Sequence, residues 1–237
     1  MLKTIRSFID KDDPIVPPPP CGRLFFGGSF NPVHSGHLAM MQHVLETEIA
    51  QSVLVMPAGQ SPFKQSSDYA PAEHRLVMLR SAISTLDETC QSRIVVSDLE
   101  IKRPGPSYTA DTLQSIRDGV HTALLLGADS LESFHLWKRA DSIVSNHHLY
   151  VAYRHGVEED QVMSWRRRLL GFLPMATIYL LPFKPPSCSS TELRRRLGEG
   201  ATFEALKDCL PQPVYSLIQL HRLYRDTVSE PGREQFP

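Results

Sequence analysis

The sequence predicts an α/β fold built on a doubly wound parallel sheet, and three observations carry that prediction. Short apolar runs recur at 24–26, 53–56, 93–96, 122–126, 148–153 and 176–181. Stretches of helical period separate them, so strands and helices alternate. The runs also end in glycine or other small residues, as at Gly27-Gly28, Pro57-Ala58-Gly59 and Gly127-Ala128. In an open sheet of this class those carboxyl ends are where ligands sit.

The chain has 237 residues, enough for one α/β domain with a substantial core. With 25 basic and 26 acidic residues its net charge is −1, which leaves no broad footprint for nucleic acid or an anionic membrane. Phosphate binding must therefore be local. Cys21, Cys90, Cys188 and Cys209 lie far apart with no C-x-x-C pair, and read as free thiols in a reducing compartment. No stretch reaches the roughly 20 apolar residues of a membrane helix. These features together predict a cytoplasmic protein, with its oligomeric state left open and compatible with a homo-oligomer.

Residues 1–20 end in four prolines and form a disordered leader, residues 21–226 form the folded domain, and residues 227–237 are a polar tail. The first strand runs into Gly27-Gly28-Ser29-Phe30-Asn31-Pro32, and a helix begins near Gly36. Glycines there let the backbone approach a bulky anion, and the helix start aims free N–H groups and a positive dipole end at the same place. His34 and His37 share one face of the first turn, where they can offer ring N–H donors to phosphate oxygens. As a pair spaced i, i+3 without evident third and fourth ligands, they do not make a zinc site. The bland alternative is an ordinary strand-to-helix turn carrying two surface histidines.

A helix at 37–50 and the strand Val53–Met56 complete a βαβ unit, and Lys64 follows in the loop after it. That lysine is either solvated or able to reach a triphosphate. A second helix at 72–86 turns Leu76, Leu79, Ile83 and Leu86 to one face, and Arg93–Val96 is the next strand. Leu99-Glu100-Ile101 alternates before the turn-rich Lys102–Pro106 segment. In Ser107-Tyr108-Thr109, Ser107 or Thr109 is a helix N-cap and Tyr108 a packing residue. Thr122–Leu126 is almost wholly apolar, as suits a central parallel strand. It ends at Gly127, two residues before Asp129, whose carboxylate can accept from ribose hydroxyls, cap the next helix, or do both. Trp137 is either core or a flat face for an electron-poor ring. Residues 158–170 read as a helix exposing Arg166–Arg168. After the strand 176–181 comes Ser187-Cys188-Ser189-Ser190-Thr191-Glu192-Leu193-Arg194. There Ser189 and Ser190 are N-cap candidates, either in a plain capping box or beside free amides that can hold phosphate oxygens, with Arg194 adding a bidentate fork. Helices at 203–207 and 213–224 close the domain.

Five of these stretches together carry a resemblance. Gly27-Gly28-Ser29-Phe30-Asn31-Pro32-Val33-His34-Ser35-Gly36-His37 resembles the (H/T)xGH signature of the nucleotidyltransferase superfamily, and within it that of the nicotinate or nicotinamide mononucleotide adenylyltransferases. Pro62-Phe63-Lys64 stands where that family has Pro-His-Lys. Ser107-Tyr108-Thr109, Gly127–Trp137 and Ser187–Arg194 are similar to its remaining segments, in family order, with Cys188 replacing an isoleucine.

The resemblance implies a Rossmann-like nucleotidyltransferase fold and adenylyl transfer from ATP, with Mg²⁺, to nicotinate mononucleotide, giving deamido-NAD and pyrophosphate. Gly27, Gly28, Ser29, Phe30, His34, His37, Ser189, Ser190 and Arg194 would hold ATP, and His34, His37, Lys64 and Arg194 would carry the catalysis. Ser107, Tyr108, Thr109, Gly127, Asp129 and Trp137 would hold the mononucleotide. A nicotinamide-using or dual-specificity enzyme, and a non-catalytic nucleotide sensor of the same fold, are the alternatives.

Overall fold

The computed structural model describes residues 18–60, 69–116, 118–153 and 156–225. The leader through residue 17, the loop holding Pro62, Phe63 and Lys64, and the tail from residue 226 lie outside the described residues.

Six strands make one parallel sheet: β1 (Cys21–Gly28), β2 (Ala50–Pro57), β3 (Ile94–Val96), β4 (Thr122–Gly127), β5 (Leu149–Ala152) and β6 (Ile178–Leu181). Their order across the sheet is β3-β2-β1-β4-β5-β6. The chain therefore winds outward from β1 to one edge and, after returning to β4, outward to the other. The crevice between β1 and β4 is the switch point.

Both faces of the sheet are buried, because alternate side chains of each strand enter separate cores. Leu24, Phe26, Val53, Val55, Ala123 and Leu125 pack on one face against helices α1 (Ser35–Glu46), α2 (Ala72–Ile83), α9 (Ser190–Gly198), α10 (Phe203–Leu206) and α11 (Gln212–Leu220). Phe25, Leu54, Met56, Leu124 and Leu126 pack on the other. That side is covered by α5 (Thr109–Ser115), α6 (Ser130–Ser133), α7 (Ala140–Asn146) and α8 (Glu159–Phe172). Two short helices, α3 (Glu88–Ser92) and α4 (Leu99–Lys102), flank β3. Among the described residues no helix is long and apolar enough to cross a membrane.

Two expectations need correction. Leu99-Glu100-Ile101, read as an alternating segment, is instead the start of α4. Ser97 makes the last ladder bond, to the Val55 carbonyl, and beyond it Lys102 N–H closes onto Asp98 O in helical fashion. The inward face of α2 is Arg75, Met78, Leu79, Ala82 and Ile83, with Leu76 only half-buried and Leu86 beyond the helix end. A guanidinium takes the place of an apolar side chain there, because three backbone carbonyls are waiting for it.

Candidate active site

The loop between β1 and α1 is held from three directions. Arg75, 1% exposed, donates from Nη1 to Ser29 O (2.7 Å), from Nη2 to Gly59 O (3.0 Å) and from Nε to Ala70 O (3.1 Å). Burial lowers its pKa from the ordinary arginine value, but the side chain stays cationic, with three of its five N–H donors placed on these carbonyls. Asn31 is buried, and its Oδ1 accepts from Ala70 N–H (3.0 Å) and from the Tyr224 hydroxyl (2.8 Å). From the far side, Arg194 donates to Asn31 O (2.8 Å) and Ser190 Oγ to Pro32 O (2.9 Å). Phe30 takes a left-handed backbone (φ 46°) and lays its ring edge-on to Phe26 and His37.

The glycines of this loop answer to packing. A Cβ on Gly27 would lie 2.8 Å from the Phe25 ring, and one on Gly28 would lie 3.2 Å from the Phe30 ring. Room for an anion is thus only part of what keeps these positions small.

His34 occupies the N-cap position of α1, and its ring stacks on that of His37 with centroids 3.7 Å apart. His34 N–H donates to His37 Nδ1 (3.2 Å). Nδ1 is therefore an acceptor, and in the neutral ring the proton sits on Nε2. Enclosure of the ring, and secondly the neighbouring His34, hold the His37 pKa well below the ordinary 6.5. His37 is accordingly a neutral hydrogen-bond donor at physiological pH. The expected pair of ring donors thus lines one cleft, with His37 offering Nε2–H and the His34 ring stacked against it.

The N-termini of α1 and α9 meet in a cleft of about 580 Å³, lined among others by His34, His37, Asp129, Ser189, Ser190 and Arg194. Gly27, Ser29, Phe30 and Gly127 also line it. Ser189 is the α9 N-cap, its hydroxyl accepting from Glu192 N–H. Two helix dipoles and the Arg194 guanidinium thus converge on a space that suits a polyphosphate. A Cβ at Gly127 would lie 2.8 Å from Asp129 Oδ1, so the glycine makes room for that carboxylate. Asp129 has helical backbone angles and its side chain makes no capping bond, which excludes the capping alternative.

A second cavity of about 300 Å³ adjoins the first and shares Phe26, Gly27, Ser29, Gly127 and Ser130 with it. Its own walls include Gly28, Ser107, Tyr108, Thr109 and Trp137. Trp137 stacks on Phe134 (4.7 Å between centroids) while lining the cavity. The expectation that Ser107 or Thr109 caps α5 is corrected: Tyr108 holds the cap position, without a side-chain cap bond. Ser107 Oγ accepts instead from Gly59 N–H (3.0 Å), tying the β2 exit to this wall. A Cβ at Gly59 would collide with the Glu100 backbone carbonyl, so only glycine fits.

Sequence reasoning missed Glu100, Arg75, Tyr224 and one covalent bond. Glu100, 5% exposed, lines the smaller cavity and accepts from the Thr112 hydroxyl (2.5 Å); burial raises its pKa above the usual carboxylate range. Cys188 and Cys209, expected as free thiols, form a disulfide with Cα atoms 5.4 Å apart. They are 21 residues apart and meet only because the 182–189 loop folds onto the segment between α10 and α11. The Cys209 carbonyl also accepts from Ser35 N–H (2.8 Å), at the start of α1. Cys21 and Cys90 are free and buried, their thiols pushed up to about 11 by desolvation.

A strand order of this kind, with two helix N-termini and a histidine donor at its switch point, defines a nucleotide-handling enzyme of the α/β class. Residues 25–196 match the family described as Cytidylyltransferase-like. A relative from Roseiflexus sp. (strain RS-1), named "Probable nicotinate-nucleotide adenylyltransferase", is 36% identical over 201 residues, covering 84% of this chain and 96% of the relative. A relative of the same name from Bordetella petrii is 34% identical over 206 residues, covering 84% and 96%. Among solved structures, the Plasmodium falciparum nicotinic acid mononucleotide adenylyltransferase complexed with NaAD superposes with a TM-score of 0.70 at 19% identity, over 86% of this chain and 97% of that one. The chain is a cytidylyltransferase-like nucleotidyltransferase, and it belongs to the nicotinate-nucleotide adenylyltransferase family.

Proposed function

We propose that this chain transfers the adenylyl group of ATP to nicotinate mononucleotide, forming deamido-NAD and releasing pyrophosphate. The observation that carries the reading is the continuity of the two cavities across the β1/β4 switch point, with His37 Nε2–H and the α1 and α9 N-termini on the larger one. The larger space takes the triphosphate and the smaller takes the pyridine, so the phosphate of the mononucleotide approaches the α-phosphorus where the cavities join.

The attacking oxygen is already anionic, so no general base is needed, and an in-line displacement is catalysed by positioning and charge stabilisation. His37 and His34 donate to the α- and β-phosphate oxygens. Arg194, Ser189, Ser190 and the α9 amides stabilise the departing pyrophosphate, joined in this proposal by Lys64. Asp129 accepts from ribose hydroxyls. Tyr108, Thr109 and Trp137 frame the pyridine.

Magnesium suits this site as an ion carried by ATP. Among the described residues lining the larger cavity the carboxylates are Asp129 and Glu192, and Glu192 is paired with Arg195 (2.6 Å). Such a donor set leaves the ion mainly to phosphate oxygens and water. A homo-oligomer is compatible with this reaction. A cytoplasmic setting suits an ATP-consuming reaction, and the Cys188–Cys209 bond is the feature that runs against it.

The test is pyrophosphate release from ATP and Mg²⁺ with nicotinate mononucleotide, nicotinamide mononucleotide and phosphopantetheine offered separately. A kcat/KM ratio above about 10² for nicotinate over nicotinamide supports the reading. Comparable rates make the enzyme dual-specific. Tight ATP binding without release from any acceptor overturns catalysis and leaves a nucleotide sensor.

A further inference from the structure

The smaller cavity contains a group that the family motifs do not assign. Lys138 lines it beside Trp137 and Tyr108, with Nζ 4.2 Å from the centroid of the Tyr108 ring and 3.2 Å from Asp111 Oδ2. We propose that the Lys138 ammonium selects the carboxylate of a nicotinate-type mononucleotide over the carboxamide of a nicotinamide-type one. The proposal rests on the adenylyl-transfer reading above and assigns its substrate preference to a side chain.

Charge matching around the cavity supports it. Glu100 is answered by the Thr112 hydroxyl and by Arg103, 3.9 Å away. Asp111 is answered twice, by Lys138 and by Arg139. Among the described residues these contacts set three cations, Arg103, Lys138 and Arg139, against two carboxylates, so positive charge is in excess by one. Lys138 is the cation free to move: its side chain is 47% exposed on a flexible stem, and Asp111 keeps Arg139 when Lys138 leaves.

A ring entering between Tyr108 and Trp137 brings its substituent to that ammonium. A carboxylate there completes the charge count, in a space from which the ring has displaced water, where a charge-assisted hydrogen bond is strong. A carboxamide brings no charge and turns part of its polar edge, the N–H₂ group, into a donor facing a donor. Glu100 lies in the same cavity and would favour the amide, but its Oε1 already accepts from the Thr112 hydroxyl with Arg103 3.9 Å away, and Ser107 hydrogen-bonds to the same carboxyl group.

The experiment measures kcat/KM for both mononucleotides in the unaltered chain, in Lys138→Met and in Lys138→Arg. The expected result is a fall of about tenfold in the nicotinate-to-nicotinamide ratio for Lys138→Met, with most of it in KM for nicotinate mononucleotide, and recovery in Lys138→Arg. A fall of threefold or more that arginine restores supports the proposal. A smaller change, a parallel loss with both substrates, or no recovery in Lys138→Arg overturns it. Turnover of either mononucleotide by the unaltered chain keeps the reaction, so a flat ratio then removes only the role of Lys138; no turnover with either removes both.

Discussion

At the scale of single residues, the chemistry depends on which atoms are committed to the backbone. Because His37 Nδ1 accepts from His34 N–H, the ring is locked in the tautomer that offers Nε2–H to the cleft. Replacing His37 with alanine should lower kcat by about 10²-fold, the scale of a lost transition-state donor, and stopped-time pyrophosphate assays would show it. The depressed pKa also fixes a sign for stability. The folded state binds His37's proton less readily than the unfolded chain does, so this contribution is complete above about 6.5 and is lost as pH falls toward the folded-state value. Melting temperature should therefore drop between about pH 7.5 and 5.5, and drop less in His37→Gln; equal declines in both would refute the linkage. Arg75 makes the opposite kind of contribution, structural and silent in the reaction. Arg75→Met strands the carbonyls of Ser29, Gly59 and Ala70. It should cost about 3 kcal/mol or more in denaturant unfolding, since each buried unsatisfied acceptor costs about 1–3 kcal/mol.

At the scale of elements, what was legible in the sequence follows from length and period. β1, β2 and β4 are buried on both faces and read as continuous apolar runs, so their places were plain. The short helices α3 and α7 were not, because five to seven residues hold too little of a helical period to register. Arg75 broke the pattern of α2 from inside: an arginine between Ala72 and Met78 reads as solvent-facing until the carbonyls it binds are known. The Cys188–Cys209 bond escaped for a similar reason, since its two ends share no spacing signature and meet through tertiary packing alone. That bond joins the α9 cap to the entry of α11 and, through the Cys209 carbonyl, to Ser35 at the start of α1. Cys188→Ser should lower stability by about 3 kcal/mol, the loop-closure scale for a crosslink of this span. Because the freed loop carries Ser189 and leads into Arg194, KM for ATP should rise about threefold or more while KM for the mononucleotide holds. Equal changes in the two KM values would show that the crosslink stabilises the whole domain without ordering the phosphate side.

At the scale of the molecule, the site lies where the winding of the sheet reverses, and each half of the fold supplies one wall. The half containing β1 to β3 brings the histidine loop and Ala58; the half from β4 onward brings Asp129, Trp137 and the α9 cap. The sequence motifs located these walls because they fall on strand ends, but they could not show that the end of the chain closes one of them. Tyr224 stands 193 residues from Asn31 and donates to its Oδ1, and burial raises its phenolic pKa, so the hydroxyl stays protonated and donating at physiological pH. Asn31 in turn presents the carbonyl that Arg194 holds, so the C-terminal segment, the histidine loop and α9 form one linked support for the phosphate cavity. Nothing comparable connects Tyr224 to Tyr108 or Trp137 among the described residues. Tyr224→Phe keeps the ring and removes the donor, leaving Asn31 Oδ1 with the Ala70 N–H. Stability should fall by about 1 kcal/mol, the net worth of one such bond. KM for ATP should rise while KM for nicotinate mononucleotide stays within about twofold, because only the phosphate wall loses a support. A matched rise in both would mean that the two cavities are held as one unit, and that Tyr224 supports the cleft as a whole.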